Sequence, residues 1–174
     1  MLSVAEAVAV MRRELGESPK AEHSLLVGRI MRELARRFGE DGELWETVGI
    51  LHDIDLPATS ADLSRHGLVA AEMLGESLPP EGLRAIAAHD HRAGLPLLSR
   101  LDRSLRGADA LALLGQRIPL PELERFAEQG DGALVALQAA LGPQRAHLGE
   151  MVARYAEAEC LTLADLVEAV RRAG

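Results

Sequence analysis

Hydrophobic positions recur along this chain at three- and four-residue spacing, and no stretch alternates convincingly with period two. The spacing predicts helices near residues 2–15, 20–38, 41–53, 65–76, 80–91, 98–116, 119–129, 131–158 and 162–173, separated by Gly, Pro and Ser punctuation. Thirty leucines against ten valines and five isoleucines agree, because unbranched side chains keep their rotamer freedom in a helix. The expected fold class is all-α. Two connections stand out, residues 54–64 and 92–97, since each directly follows a polar cluster.

The apolar stripes place several polar residues where they do not ordinarily belong. His23 opens a stripe with Leu26, Val27, Ile30 and Leu34, so its ring is expected to face inward. The next helix carries Leu44, Trp45, Val48 and Leu51 on its inner side and ends in His52-Asp53. An aspartate at a helix C-terminus opposes the helix dipole and requires a compensating cation. Asp109 lies on one row with Leu101, Leu105 and Leu113, where an unpaired carboxylate is costly unless it meets a cation. His66 begins the amphipathic segment with Val69, Ala70, Met73 and Leu74, and His89 ends the segment bearing Leu83 and Ile86. Periodicity alone does not choose among His89, Asp90 and His91 as the inward group.

Any one of these histidines could be a core imidazole bonded to a carbonyl, Asp109 could pair with Arg103 or Arg106, and Asp53 could cap the following loop. Their clustering changes the balance. Five of the six histidines fall between residues 23 and 109, and only His147 lies beyond. The single cysteine, Cys160, excludes an internal disulfide and a thiolate-rich zinc site, so a metal here would be held by His and carboxylate, a set suited to Fe, Mn, Ni, Co or Zn.

Charge and composition narrow the partners. A net charge of −8 with few aromatics argues against nucleic acid. At the start of the chain, Glu6, Arg12 and Arg13 interrupt the apolar run, so neither a signal peptide nor a membrane span is expected and the location read from sequence is cytoplasmic.

The strings GILHDIDLP (Gly49 to Pro57), HGLVAAEML (His66 to Leu74), AIAAHDHRAG (Ala85 to Gly94) and LRGADALALL (Leu105 to Leu114), with His23 upstream, give the order H…HD…H…H…D. This order resembles the HD-domain superfamily of metal-dependent phosphohydrolases, and the spacing of the later segments is similar to the branch that hydrolyses dinucleoside tetraphosphates. Those segments are similar to the cyclic-dinucleotide phosphodiesterases as well, and the sequence departs from both branches, since no GYP-like motif follows the HD pair and the loop from Ile54 to Ser64 is short. The resemblance implies a helical bundle over residues 1–117, with residues 118–174 as a C-terminal helical extension packed on the same domain.

It further implies that His23, His52, Asp53 and Asp109 hold a first divalent transition metal, and that His66 and His89 complete a second or contact substrate. The expected reaction is hydrolysis of a nucleotide or other small phosphoester by metal-activated water, with Asp53 as the central carboxylate. His91 is the candidate acid for the leaving group, and Arg92 and Arg65 are the candidate phosphate contacts, all three by adjacency to proposed ligands. Asp55 is expected to orient His52 or His66. A non-catalytic regulatory or dimerising module and a diiron oxygenase of the same fold are the alternatives, and a homodimer is an open assembly.

Overall fold

A computed structural model describes residues 1–174, the side chain of Asp131 excepted. Among the described residues every regular element is helical. The α-helices are α1 (Val4–Leu15), α2 (Pro19–Phe38), α3 (Gly42–Leu51), α4 (Leu56–Thr59), α5 (Leu68–Leu74), α6 (Pro80–Ala88), α7 (Arg100–Gly115), α8 (Leu120–Ala127), α9 (Ala133–Leu141), α10 (Ala146–Glu159) and α11 (Leu163–Ala173). Short 3₁₀ turns join several of them. No described helix is long and apolar enough to cross a membrane.

Local chemistry fixes most helix ends. Ser3 with Glu6, Ser99 with Asp102 and Thr162 with Asp165 form reciprocal capping boxes at α1, α7 and α11, each satisfying two otherwise orphaned groups. Asp41 accepts from the amides of Glu43 and Leu44 to start α3. Three boundaries differ from the periodicity. The segment expected as one helix over 131–158 is two, because Gly142 adopts φ 68° and Pro143 has no amide hydrogen to continue the ladder. The segment expected from residue 65 becomes helical only at Leu68, since His66 is extended and Gly67 has φ 81°. Residues 54–64, expected as loop, contain the single turn α4.

One core runs through the bundle, joining Met31, Leu51, Ile86 and Leu105 of the earlier helices to Leu137, Val152 and Leu166 of the later ones. The last helices are tied to the first by polar contacts as well. Arg29 donates to the Ala173 carbonyl at 2.6 Å, and Arg37 meets Asp165 at 2.8 Å.

The crossing of α2 and α3 positions the site. The two helices touch at Gly28 and Gly49, where a Cβ on Gly49 would lie 2.7 Å from the Gly28 Cα and 2.9 Å from its nitrogen. Only glycine admits this approach. His23 lies upstream of the contact on α2 and His52 just beyond α3, and the crossing brings their rings to 5.6 Å.

Gly49→Ala should therefore lower the melting temperature. Overpacking against backbone costs roughly 1–3 kcal/mol and exceeds the gain in helix propensity of at most about 1 kcal/mol. A loss of about 2–6 °C is expected, at ~2–4 °C per kcal/mol for a domain of this size. Gly115→Ala, whose Cβ meets nothing within 4 Å, should leave the melting temperature unchanged or raise it.

Candidate metal centre

Two helix ends build the centre by the same device. His52 is the C-cap of α3 and His89 the C-cap of α6. Each turns its ring back along its own helix, so that Nδ1–H donates to the carbonyl three residues earlier: His52 to Gly49 at 2.7 Å and His89 to Ile86 at 2.7 Å. The Gly49 carbonyl gains a partner in this way, and the Ile86 carbonyl a second one beside the amide of His89. The tautomer is also fixed, leaving Nε2 of each ring directed into the bundle.

His66 is held in the same sense by a carboxylate. Its Nδ1–H donates to Asp55 at 2.8 Å, while the other Asp55 oxygen accepts from the amides of Gly67 and Ala70 at 2.8 and 3.1 Å. Asp55 thus caps α5 and orients His66 at once. Of the two roles expected for Asp55, the contact is with His66 and not His52.

These rings surround Asp53. Its Oδ1 lies 3.3 Å from His52 Nε2, 3.1 Å from His66 Nε2 and 3.6 Å from His89 Nε2. The rings of His52 and His89 are 5.1 Å apart and those of His66 and His89 4.8 Å. On the other side of His52, His23 Nε2 donates to Asp109 Oδ1 at 2.9 Å, with the Gln116 amide 3.4 Å from His23 Nδ1. The histidines and Asp53 are buried, whereas the Asp109 side chain is 21 % exposed and Gln116 is exposed.

Within the cluster, burial drives the His52 pKa down to about 4 against the attraction of Asp53, so the ring is neutral at pH 7. Burial also opposes the charged form of His66, but the carboxylates of Asp53 and Asp55 outweigh it and push the pKa up to about 9. His89 is raised on the same balance, with burial opposed by Asp53. Burial works against ionisation of Asp53 and Asp109, yet the imidazoles around them dominate and both pKa values are lowered.

Neutral His52, with its proton on Nδ1, presents a lone pair at Nε2. That atom has no hydrogen-bond partner and faces a carboxylate oxygen at 3.3 Å. His66, charged at neutral pH, donates to that oxygen at 3.1 Å, but the buried His52 lone pair has no donor, and a cation beside Asp53 would satisfy it. The cluster offers two overlapping places for one: His23, His52 and Asp109 form one group, and His52, Asp53 and His89 another, with the ligand atoms of each group within 4.8 Å of one another. The imidazole and carboxylate donors therefore fit a divalent transition metal.

The remaining expected residues lie apart. His91 is turned outward, its ring 80 % exposed and 3.6 Å from Asp90, because the chain leaves α6 at His89 and re-turns through Asp90. Arg92 is held by Asp90 through a bond of 2.9 Å and a closer one. Arg65 pairs with Glu72 at 3.0 Å on the exposed side of α5. Sequence reasoning missed Gln116, and it saw in Arg106 only a pairing partner for Asp109. Arg106 instead donates to the carbonyls of His89 and Ala88 at 2.8 and 2.7 Å. Its i−3 spacing from Asp109 on α7 was the available signal.

With this geometry in place, the comparisons identify the class. The HD domain family matches residues 21–170, most of the chain, and the protein belongs to that family, whose members are largely metal-dependent hydrolases. No curated protein and no solved structure matches the chain significantly.

The titrations set the stability of the chelated protein. His66, with its folded pKa raised above 6.5, contributes stability that is complete below pH 6.5 and is lost as pH rises through about 9. His52, depressed to about 4, must stay neutral to remain buried, so stability falls as pH drops from 6.5 towards 4. Urea midpoints of chelated protein should peak near pH 6.5 and decline on both sides. Asp55→Ala leaves three donors without an acceptor. It should destabilise by on the order of 3 kcal/mol and flatten the alkaline limb of the same curve, and an unaltered limb would detach Asp55 from His66.

Proposed function

We propose that this chain is a metal-dependent phosphohydrolase acting on a small organic phosphoester, with nucleotides the first class to examine. The observation that carries this reading is the buried, partnerless Nε2 of neutral His52 facing Asp53. His23, His52, Asp53 and Asp109 would hold a first metal, and His66 and His89 would complete a second beside Asp53. A divalent metal, when bound, supplies Lewis acidity that acidifies water and offsets charge on phosphoryl oxygens.

The chain's own residues prepare that chemistry. The carbonyls of Gly49 and Ile86 and the carboxylate of Asp55 accept from Nδ1 of three imidazoles and so turn Nε2 of each towards Asp53. Asp53 and Asp109 stay ionised at neutral pH and remain available as ligands. A cleft of about 840 Å³ opens directly from His89 and Asp109, wide enough for an ester's organic group. His91 stands on its lining with an exposed ring and would give the proton to a leaving group seated there. Arg92 lies on the same lining and would touch phosphate only by exchanging Asp90 for it, whereas Arg65 is committed to Glu72.

Chelated protein is expected to hydrolyse no ester and to recover turnover with Mn²⁺, Fe²⁺, Co²⁺ or Ni²⁺. Asp53→Ala should remain folded and inactive with every one of them. Metal-replete wild type that is silent across a broad panel of phosphomonoesters and nucleotides would contradict the reading. On stoichiometry, His66→Ala and His89→Ala should each reduce bound metal from about two per chain towards one. Elemental analysis giving one metal in wild type and one in both variants would assign these histidines to substrate.

A further inference from the structure

We propose that Arg106 of α7 and Arg154 of α10 form a second anion-binding subsite beside the metal centre, so that the substrate carries another anionic group besides the phosphoryl group that is attacked. The inference rests on the phosphohydrolase reading and specifies its substrate class.

Arg92, Arg103, Arg106 and Arg154 all line the cleft. Arg92 is neutralised by Asp90 and Arg103 by Glu159. Arg106 is different, because its Nε and Nη2 donate to backbone carbonyls and no carboxylate pairs with it among the described residues. A half-buried guanidinium at the cleft, bonded only to neutral carbonyls and with Asp90 and Asp109 acting on it only through space, can take an anion from the cleft. Arg154 is exposed on the facing helix and makes no ion pair or hydrogen bond among the described residues, and Glu150, one turn earlier, does not reach it.

Arg106 and Arg154 come from two helices that pack together beside the cleft. The helices run antiparallel, with Arg103 meeting Glu159 and the Tyr155 hydroxyl 2.9 Å from Ser104 Oγ. The Tyr155 ring lies on Gly107, where a Cβ would be 2.4 Å from it. Arg106 and Arg154 are the neighbours of this touching pair, and both line the cleft that begins at His89 and Asp109.

Charge accounting separates the subsite from the reacting phosphoryl group. Two divalent cations set against the carboxylates of Asp53 and Asp109 leave charge enough for a single phosphoryl dianion. The two guanidiniums are surplus to that and match a second anionic group. Between them the cleft is lined by Leu97, Leu113 and Met151, which suit an apolar or weakly polar body.

Calorimetric binding of butane-1,4-diol bisphosphate and of butyl phosphate to the purified protein tests the proposal. The bisphosphate is expected to bind at least tenfold more tightly. Arg154→Gln should shrink that gap below threefold, while Arg145→Gln, an exposed arginine outside the cleft, should preserve it. No gap in wild type, a gap retained in Arg154→Gln, or equal loss in both variants would overturn the proposal. If both arginines gripped the attacked phosphoryl group, the two ligands would weaken together and the gap would persist. Because hydrolysis is not read, an inactive protein that keeps the gap refutes the reaction and leaves the subsite standing.

Discussion

The structure turns on one constraint: a neutral imidazole buried with its lone pair towards a carboxylate. His52 donates from Nδ1 to the Gly49 carbonyl, and the same turn of backbone delivers Asp53 beside its Nε2. Neither group can relieve the conflict by protonation at neutral pH, since burial holds His52 neutral and the neighbouring imidazoles hold Asp53 ionised. The bundle around them keeps that pair buried. Gly28 and Gly49 let α2 and α3 approach closely enough to bring in His23, and the end of α6 brings in His89.

Helix termini supply the precision. Carbonyls in the last turns of α3 and α6, those of Gly49 and Ile86, each lock the ring of their own helix's C-cap histidine. Asp55 does the equivalent at the start of α5, where first-turn amides and His66 share one carboxylate. Groups at the ends of helices thus become the orienting shell of the centre, at no cost in separate scaffolding.

Much of this was legible in the sequence. The all-α class followed from periodicity, and the order of His and Asp residues led to the HD domain family that the chain belongs to. The inward role of His89 was not legible, because three consecutive polar residues end α6 and only the backbone turn after it selects one. The break at Gly142-Pro143 was present in the residues but outweighed by the apolar pattern around it. Arg106 escaped attention for a different reason: its partners are backbone carbonyls of another helix, and no side-chain pattern announces such a contact. The antiparallel fit of α10 on α7, set by Tyr155 against Gly107, likewise puts residues 106 and 154 on the lining of one cleft without any local signal.

The central claim, that a divalent metal occupies the space between His52 Nε2 and Asp53, is tested most directly by anomalous diffraction from crystals of protein grown with Mn²⁺ or Fe²⁺. The account predicts anomalous density within coordination distance of both atoms. Density only at surface carboxylates, or an ordered water bonded to His52 Nε2 under saturating metal, would contradict it.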